Sequence, residues 1–203
     1  MSVPPSLAQW KSILTTTIDW AFKKYDDNFV MGAAPYLDKA IDWARQTGLK
    51  VLIDLHGGVG SQNGFDNSGH NGTVGFGQGD SVSQTRGVLQ LIANKYAAAQ
   101  YQDVVVGIEP LNEPLIVSIN GGDQIVPQYY KDTFGDVRAV SDTPVIMHDG
   151  FKNASYWNGV LSGAGQNTII DHHEYQVFTD DLLYMNADVS FLLPVHSYPT
   201  SNT

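Results

Sequence analysis

The sequence predicts an α/β fold, a partial (β/α)8 TIM barrel, and three observations carry that reading. First, stretches with apolar residues at helical spacing alternate with short β-branched apolar runs, the order that builds a parallel sheet with outer helices. Second, each run ends in polar groups able to do chemistry: His56, Asn112 with Glu113, His148 with Asp149, and His172 with His173. Barrel active sites sit at the carboxyl ends of the strands, so this placement favours a barrel, although a doubly wound sheet also puts its ligands there. Third, the glycines following the first run read H-G-G-V-G-S-Q-N-G-F from His56. That stretch has neither a G-x-G-x-x-G leading into a helix nor a Gly-Lys-Ser/Thr ending, which argues against a nucleotide site.

The elements follow in order. Tyr36, Leu37, Ala40, Ile41 and Ala44 recur at helical spacing before Gly48, predicting an amphipathic helix over about residues 35 to 47. Lys50 to His56, K-V-L-I-D-L-H, is nearly continuous apolar sequence and predicts a strand buried on both faces. A glycine-rich loop from Gly57 to Asp80 leads to a helix marked by Val88, Leu89, Leu91, Ile92 and Tyr96. The cycle repeats with a strand at Val104 to Ile108, a helix near Gln128 to Val140 and a strand at Pro144 to His148. A short helix near Ala154 to Leu161 and a strand at Thr168 to His172 complete it. Before these lies one helix-like stretch, Ile13 to Phe22, and after Phe178 no clear period remains. Four strands cannot close a barrel that typically takes about 250 residues.

Charge and composition narrow the partners. A net charge of -10 and no cluster of Lys or Arg argue against nucleic acid or an anionic membrane, while a neutral polysaccharide is compatible. With no cysteine, disulfides, thiolate metal sites and thiol nucleophiles are excluded. The histidines show no H-x-x-x-H spacing, so no metal is expected. No run approaches the roughly 18 apolar residues of a membrane span, and Lys11 interrupts the place a secretory signal would occupy. Asn71 and Asn153 each open an Asn-x-Ser/Thr acceptor.

Only three glutamates occur, Glu109, Glu113 and Glu174, all at or near a predicted strand end. In Asn112-Glu113-Pro114 the amide can bond a substrate hydroxyl, the carboxyl can project into a cleft, and the proline stiffens the turn. A glycosidase needs one carboxyl held protonated near neutral pH, and an apolar strand-end setting is expected to achieve this for Glu113.

Three long stretches resemble the fungal exo-β-1,3-glucanases of glycoside hydrolase family 5: Ile53 to Gly69, Val104 to Leu115 (V-V-V-G-I-E-P-L-N-E-P-L) and Asp171 to Phe178 (D-H-H-E-Y-Q-V-F). A weaker echo is W-A-F-K-K-Y-D from Trp20 to Asp26. The resemblance implies central barrel strands 3 to 6, a retaining double displacement on β-1,3-glucan that releases glucose, and no metal or organic cofactor. It implies Glu113 as acid/base and Asn112 as a holder of the sugar 2-hydroxyl. His56, His173 and Tyr175 line the central subsite, the last two orienting nucleophile and substrate, and Phe65 and Phe178 are cleft aromatics. It also implies a monomer that works outside the cell or in the cell wall.

By the same resemblance, residues 1–30 are a divergent N-terminal segment, 31–178 the partial barrel domain and 179–203 a divergent tail. The family's nucleophile, a Glu in a Gly-Glu-Trp setting, has no counterpart here, and Glu174 is expected to point away from His173 and Tyr175 by strand alternation. The chain is therefore expected to be truncated at both ends and to hydrolyse little. The alternatives are a non-catalytic glucan-binding remnant or an unstable fragment.

Overall fold

The computed structural model of the chain describes residues 33–160 and 167–175. The segments 1–30 and 179–203, and Phe178 with them, lie outside the described residues. Helix α1 (Ala34–Thr47) opens with Pro35 in its first turn, buries Leu37, Ile41 and Ala44, and ends at Gly48 in the left-handed region, φ 73°. Strand β1 is Val51–Asp54, α2 is Ser81–Tyr96, β2 is Val105–Glu109 and α3 is Gly122–Arg138. Strands β3 (Val145–His148) and β4 (Thr168–Asp171) follow.

The strands lie in the order β1-β2-β3-β4, every pair parallel. The crossovers from β1 to β2 and from β2 to β3 run through α2 and α3, so sheet and helices form one arc of an α/β barrel. Register aligns the carboxyl ends: Asp54 pairs with Glu109, and His148 with Asp171. Four chain exits thereby open on one rim.

Some boundaries differ from the expected ones. The first and last strands stop at Asp54 and Asp171, so His56, His172 and His173 stand on the exits rather than within strands. The expected helix at Ala154 to Leu161 is a 3-10 turn, Ala154–Trp157. Helix α3 begins at Gly122, before Pro127, which sits inside it. A proline has no N–H for the carbonyl four residues back, here that of Asp123. That carbonyl accepts instead from the Tyr156 hydroxyl at 3.3 Å, so the gap in the helix ladder becomes a tie to the chain after β3.

The core lies between sheet and helices. Ile41, Val51, Leu89, Tyr96, Ile108, Val126 and Val145 are fully or nearly fully buried there, each worth about 1.5–3 kcal/mol for a full-sized side chain. Two buried tyrosines of α3 reach past this apolar layer to the rim. Tyr129 donates to the Pro110 carbonyl at 2.9 Å and Tyr130 to the His148 carbonyl at 3.1 Å. Helix α3 therefore fixes the height of two strand exits with two hydroxyls. Among the described residues no helix is long and apolar enough to cross a membrane.

Candidate active site

The rim is assembled around Glu113. Its backbone is held at φ 44°, in the left-handed region and directly before Pro114. A non-glycine residue rarely adopts this conformation, which costs about 1–3 kcal/mol and persists only where surrounding contacts fix it. The contacts are present. Asn63 donates to the Glu113 carbonyl at 3.2 Å, and the side chain of Glu113, a residue 3% exposed, meets three donors. Asn67 Nδ2 reaches Oε2 at 2.8 Å, His173 Nδ1 reaches Oε1 at 2.6 Å, and the Tyr175 hydroxyl also donates to Oε1.

These bonds decide the charge. Burial alone raises a carboxyl's pKa, but the hydrogen bonds from His173, Tyr175 and Asn67 outweigh it and hold Glu113 down at about 2. The expectation of a protonated Glu113 is thus corrected: the setting is not apolar but a convergence of donors, and the group is a carboxylate. His173 is its counter-ion. The hydrogen bonds to Asp171 (Nε2 to Oδ2, 3.3 Å) and to Glu113 raise its pKa to about 10. Replacing Asn67 by alanine removes one donor, so the Glu113 midpoint should rise by about one unit, read from the side-chain carboxyl carbon by NMR titration.

The other expected site residues divide into two groups. His173 and Tyr175 touch Glu113, and Asn112 precedes it with its Nδ2 unbonded among the described residues. His56 stands on the exit of β1, within electrostatic reach of Glu113, its Nδ1 bonded to Asp54 at 2.7 Å, and that bond raises its pKa. Phe65 is half-exposed on the loop, two residues before Asn67. Glu174 turns away from Glu113 and bonds His172 Nε2 at 3.1 Å.

Sequence reading missed the loop residues that build the site. Gln62, fully buried, donates to the carbonyls of His56 (2.9 Å) and Asn112 (2.7 Å) and accepts from Gly58 N–H at 2.9 Å. A 3-10 turn at Asp66–Ser68 then swings Asn67 onto Glu113. Below the rim, Asp54 and Glu109 are register partners on neighbouring strands, both buried, with Asp54 Oδ1 and Glu109 Oε1 unbonded among the described residues. Burial pushes both carboxyls up, Glu109 well above the ordinary range.

The match that decides the family spans residues 8–190, to the model of cellulase, glycosyl hydrolase family 5. The chain belongs to glycosyl hydrolase family 5. Similar family members include a glucan 1,3-beta-glucosidase of Schwanniomyces occidentalis, 45% identical over 172 residues, covering 83% of this chain and 40% of that protein. Another is glucan 1,3-beta-glucosidase 1 of Schizosaccharomyces pombe, 44% identical over 165 residues, covering 80% of this chain and 40% of that protein. The chain thus spans about two fifths of the curated relatives' length. Among solved structures, rutinosidase from Aspergillus niger superposes with a TM-score of 0.70 at 24% identity, over 83% of this chain and 51% of that one. An endoglucanase from Pseudomonas stutzeri does so with a TM-score of 0.55 at 18% identity, over 87% and 52%. These two support the partial α/β barrel of the family.

One cluster in this family 5 rim has a metal-like grouping. A ligand atom each from Glu113, His148 and His173 lies within 4.8 Å of the others. The bonding pattern opposes coordination. His173 gives both ring nitrogens to carboxylates and is held protonated, and His148 Nδ1 already accepts from the Gly150 N–H at 2.9 Å. A metal needs a free nitrogen lone pair, which neither ring offers in these states.

Proposed function

We propose that this chain forms the acid/base side of a β-1,3-glucan site, with Glu113 as the acid/base of a retaining hydrolysis that releases glucose. The observation that carries the reading is the carboxylate of Glu113, fixed at a barrel rim by Asn67, His173 and Tyr175, with Asn112 beside it offering an unused amide. Asn112 is assigned the sugar 2-hydroxyl, a contact that strengthens as positive charge develops at the anomeric carbon. His56, His173 and Tyr175 line the central subsite, and Phe65 and Phe178 stack on glucose rings. The names of the similar fungal glucosidases support β-1,3-glucan as the polymer, and a monomer outside the cell or in the wall is the working form that we propose.

A second reading, glucan binding without turnover, is favoured by the ionisation of Glu113. A general acid must carry a proton, and in a retaining pair the second carboxylate, roughly 5 to 5.5 Å away, raises the first one's pKa by repulsion. Among the described residues Glu109 is buried below the rim, where desolvation disfavours its charged form, and Glu174 is turned to His172, so neither stands as the second carboxylate of such a pair.

Isothermal titration of the purified chain with laminaritriose, beside a glucose-release assay on laminarin, tests both readings. Binding with release at background level is expected. Release that Glu113→Gln abolishes would place the whole reaction in this chain and remove the second reading. Failure of the folded chain to bind would sink the assignment of a glucan site.

A further inference from the structure

His148 ends β3 fully buried, and neither the family resemblance nor the mechanism above uses it. Its Nδ1 edge faces its own loop, where Gly150 N–H donates to it at 2.9 Å. In a neutral imidazole that bond puts the proton on Nε2, the nitrogen at the far edge of the ring. Burial holds the group neutral, with its pKa down at about 4. The ring is fixed on two sides, edge-on to Phe151 at 5.0 Å and to His173 at 4.5 Å between centroids. Yet Nε2 has no hydrogen-bond partner among the described residues, although it is fully buried.

A buried N–H without an acceptor is rare in a folded protein and calls for a missing partner. A Glu113 carboxylate oxygen comes within 4.8 Å of a His148 ring nitrogen but makes no hydrogen bond to it, its oxygens being turned to Asn67, His173 and Tyr175. A metal is opposed by the proton on Nε2, since that nitrogen has no lone pair to give. What fits is an uncharged oxygen brought in from outside and held against Glu113. We propose that His148 is a specificity-determining donor, its Nε2–H bonding an oxygen of the sugar seated at Glu113. The proposal rests on the glucan reading of this site and adds a contact to it.

Neutral imidazole serves this purpose better than a charged group. An Nε2–H fixed by packing and by a backbone donor accepts no proton from the sugar and is oriented before the sugar arrives. A site built to bond a hydroxyl discriminates strongly against a ligand that cannot supply it, because the protein donor is then left unpaired.

The test is imidazole nitrogen NMR on the full chain, followed by two variants. The free chain is expected to show His148 neutral at pH 7 with its proton on Nε2, and that proton resonance should move downfield on titration with laminaritriose. His148→Phe keeps the ring in its slot but removes the donor, and should weaken laminaritriose binding about tenfold. His148→Gln, whose amide nitrogen reaches about as far as Nε2, should recover most of the loss. If laminaritriose shifts the signals of Asn112 and Tyr175 while the His148 Nε2 proton stays put and His148→Phe binds as wild type, the inference is overturned and the glucan site stands. If the folded wild-type chain binds no laminaritriose, the glucan reading fails and this contact fails with it. Should His148→Phe not fold, the wild-type proton shift alone decides.

Discussion

In Glu113→Gln the imidazole of His173 is expected to titrate about one to two units below its wild-type midpoint near 10. The substitution keeps the shape of the side chain and removes its charge. The bond to Asp171 remains, so the midpoint stays above the ordinary 6.5. The pH dependence of stability should change with it. His173 has a raised folded-state pKa, so its contribution is complete below 6.5 and is lost as pH rises through about 10. Glu113 has a lowered one, so its contribution is complete above 4.5 and is lost as pH falls through about 2. Wild type should therefore gain most from the pair between pH 4.5 and 6.5, keeping part of it to about 10. Urea midpoints of the variant should lose the acid limb and flatten the alkaline one. A His173 midpoint unchanged in Glu113→Gln would show that the two groups do not share a bond in solution.

Gly122→Ala is expected to destabilise the fold by about 1–3 kcal/mol. A Cβ at this first residue of α3 would stand 2.3 Å from the Ile116 carbonyl oxygen and 3.1 Å from Ile119 Cβ. Backbone cannot turn aside as a flexible side chain can, so the 3-10 turn at Ile116–Ser118 or the start of the helix must move. Gly135, exposed in the same helix, provides the control, because a Cβ there meets nothing within 4 Å. Gly135→Ala should stabilise by about 0.5–1 kcal/mol through helix propensity and the less flexible unfolded chain. Urea denaturation checks both: midpoints should move in opposite directions at constant slope.

The sheet was legible because V-L-I, V-V-V, V-I-M and T-I-I are short, β-branched and bounded by polar residues. The start of α3 was not, since Gly121, Gly122 and Pro127 are all loop formers by local preference. There the Asp123 carbonyl that Pro127 leaves free takes a bond donated by the Tyr156 hydroxyl, a contact 33 residues away. In the site, Glu113, His173 and Tyr175 lie in dense motifs and the structure brings them into contact. Asn67 and Gln62 were hidden in a Gly/Asn/Ser loop whose fold is set by partners 46 and 50 residues on. One signal could have been used. Asp54-x-His56 and Asp171-x-His173 repeat the same spacing on two strand exits, and side chains two apart share a face. The ionisation of Glu113 was beyond reach, because desolvation follows from local hydrophobicity whereas three convergent donors do not.

The amide of Gln62 reaches three backbone groups, belonging to two different strand exits and its own turn. Replacing its NH2 by an oxygen, as in glutamic acid, would be isosteric yet would set lone pairs against two carbonyls. One nitrogen atom thus ties the first and second exits together above the backbone bonds that Leu55 makes with Glu109 and Asn112. The loop beyond Gly69 braces that tie from behind, since Gly75 and Phe76 donate their N–H groups to the Gly60 and Ser61 carbonyls.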